Sequence, residues 1–146
     1  MATNLRPLIE DRIRLKVPAF KEVAGASDLA SLLAGRLTDH GCYLFKEGDS
    51  ATGNHLVGAT AQRKALAFTL IIVIRNVKDA RGADADDISH GLQDSVEAAL
   101  LGWSPDGNAD PLEYSNGKLL SFANGFHIYK KTFNTYQSIR ATNLGI

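Results

Sequence analysis

The chain has 146 residues and a mass of 15.7 kDa, which is room for one domain of ordinary size. Apolar residues make up 45% and charged residues 22%, a composition too greasy for a disordered tail. Sixteen Lys and Arg balance sixteen Asp and Glu, which excludes a whole-molecule field that would draw in nucleic acid or an anionic membrane.

The stretch Met1-Ala2-Thr3-Asn4-Leu5-Arg6-Pro7 has no apolar run after a basic start and predicts no secretory signal. Leu5, Leu8, Ile9, Ile13 and Val17 recur at the spacing of one helical face, with Asn4 as N-cap and Pro7 in the first turn. Pro18 ends that helix, because a proline disfavours helical geometry in the residue before it. Phe20 to Val23 reads as a short strand. Ser27-Asp28 ahead of Leu29, Leu32 and Leu33 predicts a second, N-capped helix that stops near Gly35. Cys42 to Phe45 reads as a strand, and a single cysteine, with no partner for an internal disulfide, fits a reducing compartment. Gly48 to Arg63 has Gly48, Gly53 and Gly58 among Ser, Thr, Asn and Asp, and predicts a long mobile loop.

Ala65 to Val77 places Leu66, Phe68, Leu70, Ile72 and Ile74 on one face and Ala67, Thr69, Ile71 and Val73 on the other. Both faces are largely apolar, the pattern of a central strand covered on both sides, and the run is too short to span a membrane as a helix. From Asp84 to Leu101 the residues Ile88, Leu92, Val96, Ala99 and Leu100 predict a helix, with Asp84, Asp86 and Asp87 opposing the positive end of its dipole. Gly102 is placed as a left-handed C-cap, and Trp103-Ser104-Pro105 marks the stop. Gly91, read on the inward stripe between Ile88 and Leu92, predicts close approach of another backbone. Asn116-Gly117 predicts a two-residue hairpin turn between segments 112–115 and 118–122. A second turn at Asn124-Gly125 leads into a long final strand, Phe126 to Arg140. The order predicts one α+β domain over residues 1–146, a mostly antiparallel sheet of four or five strands with two or three helices packed on it.

Residue types that carry chemistry do not cluster. Gly53 to Thr60 lacks the lysine and the spacing of a phosphate loop. His40 and Cys42, two apart, would share a strand face and offer two metal ligands, fewer than a zinc site needs, and His55, His90 and His127 are scattered. Asp84 to Asp87 lacks the glycine and terminal glutamate of a calcium loop. No Gly-x-Ser-x-Gly elbow is present, and Asp106 and Asp110 flank Gly107-Asn108 as turn residues do. The expectation is a protein with no catalytic residue, no cofactor and no metal. The rival from another class is a small hydrolase or ligand-binding domain with a site around His40, Cys42 and His127.

Charge is sorted along the chain. Val57 to Lys78 holds Arg63, Lys64, Arg75 and Lys78 and no acid; Asp79 to Glu113 holds nine acids and one base, Arg81; Tyr114 onward holds Lys118, Lys130, Lys131 and Arg140 and no acid. Two readings follow: the acidic helix lies over basic strands of its own chain, or the subunit has one acidic and one basic flank that meet between copies. Under the second, Arg63, Lys64, Arg75, Lys130, Lys131 and Arg140 face Asp84, Asp86 and Asp87 of a neighbour, and head-to-tail contact whose rotation closes gives a ring.

A helix ending in Leu101-Gly102-Trp103-Ser104-Pro105, then Tyr114-Ser115-Asn116-Gly117, then a last strand with Phe133 and Thr135, resembles the tail terminator (tail completion) proteins of long-tailed bacteriophages. Where many such chains place a tryptophan on the final strand, this one has Tyr129. The resemblance implies a non-enzymatic virion protein that forms a ring, hexameric in that family, on the head-proximal end of the tail tube. It implies contact with copies of itself, the tube protein and a head completion or connector protein. DNA is implied only in passage through the ring, with no membrane partner and with assembly in the host cytoplasm. It speaks for Leu101, Gly102, Trp103 and Pro105 as a structural turn and assigns no contact residues. A head–tail connector or a tail-tube subunit has the same chemistry-free composition.

Overall fold

A strand apolar on both faces is stable only inside a sheet covered on both sides, and the computed structural model, which describes residues 3–75, 81–121 and 125–142, has such a sheet. In chain order its elements are α1 (Arg6–Lys16), β1 (Glu22–Gly25), α2 (Leu29–Ala34), β2 (Gly41–Ala51), β3 (Ala59–Arg75), α3 (Ala83–Leu100), β4 (Glu113–Ser121) and β5 (Phe126–Thr142). The strands run β1-β2-β3-β5-β4; β1 and β2 are parallel and the other pairs antiparallel. This is the predicted α+β architecture.

One face of β3 carries Leu66, Phe68, Leu70, Ile72 and Ile74, packed under α1 and α3 with Ile9, Ile13, Leu92, Val96 and Leu100. Ile71 and Val73 point the other way, into a smaller cluster with Leu32 of α2, Tyr43, Phe45 and Ile128. The Asp28 carboxylate caps α2 by accepting the Ser31 N–H at 2.7 Å, and that bond holds the Asp28 pKa below its usual value. At α1 the Asn4 side chain accepts the Arg6 N–H at 3.2 Å, although Leu5 is the capping residue.

The structure corrects the sequence reading at five places. Segment 48–63 is not one loop: β2 runs to Ala51 and β3 begins at Ala59, leaving 52–58 as the connection. Its polar composition hides the strands because 48–51 are exposed on both faces and 59–62 only half-buried, while β3 stays zipped to β5 from Ala59↔Thr142 inward. Asn116-Gly117 is not a turn but lies within β4, beside a register shift between Tyr114 and Asn116. A Cβ at Gly117 would press on the Tyr114 hydroxyl and stand 3.0 Å from the Tyr129 ring, so glycine lets both rings keep their places. One strand, not two, therefore lies between α3 and the turn at Gly125; Asn124 itself lies outside the described residues.

Gly91 does not face inward. The buried stripe of α3 is Ala85, Ser89, Leu92, Val96 and Ala99, while Ile88 is 37% exposed and a Cβ on Gly91 meets nothing within 4 Å. The short strand β1 starts two residues later than expected, since Glu22 is the first residue to pair with β2. Finally, the α3 C-cap is Leu101 in extended geometry, with Gly102 left-handed at φ 75° one residue later. The predicted end of the central strand at Val77, and Lys78, lie outside the described residues.

Two glycine substitutions separate backbone strain from helix propensity. Gly102→Ala places a side chain at positive φ and is expected to lower stability by about 1–2 kcal/mol. Gly91→Ala, in open space on a helix, is expected to raise it by up to about 1 kcal/mol. Urea unfolding followed by circular dichroism measures both.

Candidate functional site

The segment after α3 is a turn bolted to the sheet. The Trp103 N–H donates to the Leu100 carbonyl at 3.1 Å across Leu101 (φ −60°, ψ 126°) and Gly102 (φ 75°), a type II turn whose third residue needs glycine. Gly102 donates to the Leu112 carbonyl and Leu112 to the Trp103 carbonyl, each at 3.0 Å. Thr135 Oγ1 donates to the Asp110 carbonyl at 2.6 Å, and Asp110 N–H to the Tyr136 carbonyl at 2.9 Å. Pro105 is buried beside this return. Leu101 and Gly102 lie within one hydrogen-bonded turn that ends at Trp103, Thr135 ties the returning segment to β5, and Phe133 is buried in the main core.

Arg12 completes this turn from another helix. Its Nε donates to the Ala99 carbonyl at 3.0 Å, and its guanidinium stands 5.2 Å from the centroid of the half-buried Trp103 ring. The last turn of α3 has no basic residue of its own, so α1 supplies the cation that its dipole favours. Sequence reasoning missed Arg12; the only signal was a helix end without a base.

The sorted charges are partly spent within the chain. Lys131 is buried, with its ammonium 2.9 Å from Glu97, 3.4 Å from Gln93 Oε1 and 4.4 Å from the Tyr114 ring. Lys130 stands 3.3 Å from Glu47, which also accepts the Thr69 hydroxyl at 2.9 Å. Arg63 pairs with Asp110 and lies over the Tyr136 ring, and His127 meets Asp86 at 3.2 Å. Asp84, Asp87, Arg75 and Arg140 have no ion-pair partner among the described residues, and Lys64 lines a cleft of about 460 Å³ with Arg6 and Lys46. The nine candidate interface residues therefore do not form one patch, and Lys131 is not a surface group.

Among the exposed surfaces of the described residues are an arm of the sheet and one side of a helix. The far ends of β2, β3 and β5 make an arm that carries Val57, fully exposed at its tip, with Leu56 and Tyr136 also exposed. A cleft of about 280 Å³ on it is lined by Leu56, Ile139 and Arg140 among others. The second surface is the outward side of α3, where Asp84, Ile88, Gly91, Ser95 and Ala98 recur on one helical face.

The residues considered for chemistry stand apart. His40 precedes β2 in left-handed geometry (φ 56°), with Nδ1 2.9 Å from Asp39, so strand alternation does not align it with Cys42. Cys42 is fully buried, and burial pushes its thiol pKa well above the usual range. His127 lies two strands away across β3. Asp106 accepts the Asn108 N–H at 2.8 Å as a turn residue, and Asp110 belongs to Arg63. Among the described residues no group of three or more His, Cys, Asp or Glu could hold a metal ion.

The family model of the phage tail terminator proteins matches residues 3–143. Among solved structures, a chain from the "Virion of native gene transfer agent (GTA) particle" is similar, with a TM-score of 0.51 and 12% identity. The match covers 90% of this chain and 92% of that one, which is a likeness of fold. No curated protein matches.

Two measurements check these assignments. Cys42 is expected to resist a thiol reagent at neutral pH in the native state and to react fully in denaturant, read by absorbance of the released chromophore. Lys131→Met, which strands Glu97 and Gln93, is expected to cost about 1.5–3 kcal/mol in urea unfolding. Arg140→Ala is expected to stay within about 0.5 kcal/mol of wild type.

Proposed function

The chain belongs to the phage tail terminator family, a family of structural phage tail proteins, and on that premise we propose that it caps the head-proximal end of the tail tube. Copies of it close into a hexameric ring that ends tube polymerisation and gives the surface on which the head is joined. Its partners are other copies of itself, the tail tube protein and a head completion or connector protein, and DNA meets it only in passage through the ring. The work is done by contact, with no bond made or broken, in the virion after assembly in the host cytoplasm.

The observation that carries this reading is the extent of the family match, which takes in both helices of the main face and all five strands. Two physical features support it. The arm exposes Leu56, Val57 and Tyr136 and α3 exposes Ile88, and among the described residues Arg140 on the arm and Asp84 and Asp87 on α3 have no ion-pair partner. That is the surface of a subunit which associates with a partner.

The test is assembly. The full chain, followed by light scattering over a range of concentration and by negative-stain imaging, is expected to form closed rings and no long tubes. Added to polymerising tube protein, it is expected to shorten the tubes and sit at one end only. Long tubes from the chain alone would indicate a tube subunit instead, and tubes of unchanged length would reject the capping role.

A further inference from the structure

We propose, as a refinement resting on the ring reading above, that the β2–β3–β5 arm of one copy docks along the outward face of α3 of the next. The arm leaves the helices behind, since the covered part of β3 begins near Leu66. Its basic residues Lys46, Arg63, Lys64 and Arg140 outnumber the acids Glu47 and Asp49. Val57 and Leu56 stand out from its tip. Helix α3 has five acids and neither lysine nor arginine. Its outward side offers a smooth floor in Gly91, Ser95 and Ala98, with Ile88 exposed beside them.

These two surfaces cannot meet within one molecule. Asp86 at the start of α3 touches His127, which pairs with Ile74, so the acidic turn sits over that end of the sheet. Lys64 is ten residues away along β3, about 33 Å at the rise of a strand, and Arg140 lies further out, opposite Ala61. Attraction between the arm and this turn is therefore realised only between copies. The surfaces differ, so the contact is heterologous and propagates head to tail until rotation closes it. In the contact, the apolar tip lies on the notch at Gly91 and the arm cation Arg140, which lines the same cleft as Leu56, reaches Asp84 and Asp87. The outward glycine that the isolated fold does not need then has a reason.

The experiment reverses each side and then both. Arg140→Glu, and the paired reversal Asp84→Lys with Asp87→Lys, are each expected to raise the midpoint concentration of ring assembly by about tenfold or more, on the order of a desolvated charge pair. The chain carrying all three is expected to recover most of that loss. Cross-linking gives a second readout. Val57→Cys mixed with Gly91→Cys is expected to yield a disulfide-linked dimer under mild oxidation, and neither alone, with buried Cys42 silent.

Assembly at the wild-type midpoint by both reversed chains, each folded by circular dichroism, would overturn the interface while leaving the ring reading intact. So would a combined variant no better than the two it combines. A wild-type chain that stays monomeric at every concentration and on tubes would overturn both readings.

Discussion

The pairing of β3 with β5 is the constraint on which the rest of the molecule depends. Both strands have 17 residues, and they run in unbroken register from Ala59↔Thr142 to Arg75↔Phe126. Each strand has the backbone of the other along its whole length, so even polar ends without a buried face remain extended. Because β3 is apolar on both sides in its inner half, the sheet must be covered twice, by α1 and α3 on one face and by α2 with its flanking segments on the other. Beyond Lys64 and its partner, the buried Gln137, the side chains are half-buried or exposed while the pairing goes on, and that difference produces the arm.

The same constraint distributes charge. Residues of β5 alternate between the two faces, so Lys131 points toward α3 and Lys130 away from it. Lys131 becomes a buried partner of Glu97, under the Tyr114 ring, while Lys130 meets Glu47 across the opposite face. Part of the acidic helix is thus neutralised by its own sheet. Near its start Asp86 meets His127, while Asp84 and Asp87 have no ion-pair partner among the described residues, and Arg140, likewise without one there, sits toward the other end of the sheet.

Packing around Trp103 shows how distant segments set a local feature. The type II turn at Leu101-Gly102 is written in neighbouring residues, yet its position on the sheet comes from Thr135 on β5 and its electrostatics from Arg12 on α1. Asn116-Gly117 is the reverse case. The dipeptide is a strong hairpin signal in isolation, but two tyrosine rings converge on Gly117, and the nearby β-bulge keeps both residues in the strand.

Read alone, the sequence determined what periodicity and composition can carry: the α+β class, the doubly apolar central strand, helices α1 and α3, the long last strand, and the turn after Leu100. Each of these is a repeat of buried positions or a backbone requirement of one glycine, and both are local. Only the tertiary structure decided that segments 48–51 and 59–63 are strand, that Gly91 faces outward, that Lys131 is buried, and that Arg12 closes α3. Those outcomes depend on which strand lies beside which and on which side of a helix the sheet falls. Such facts are set by contacts between residues as far apart as Arg12 and Ala99, and no local pattern records them.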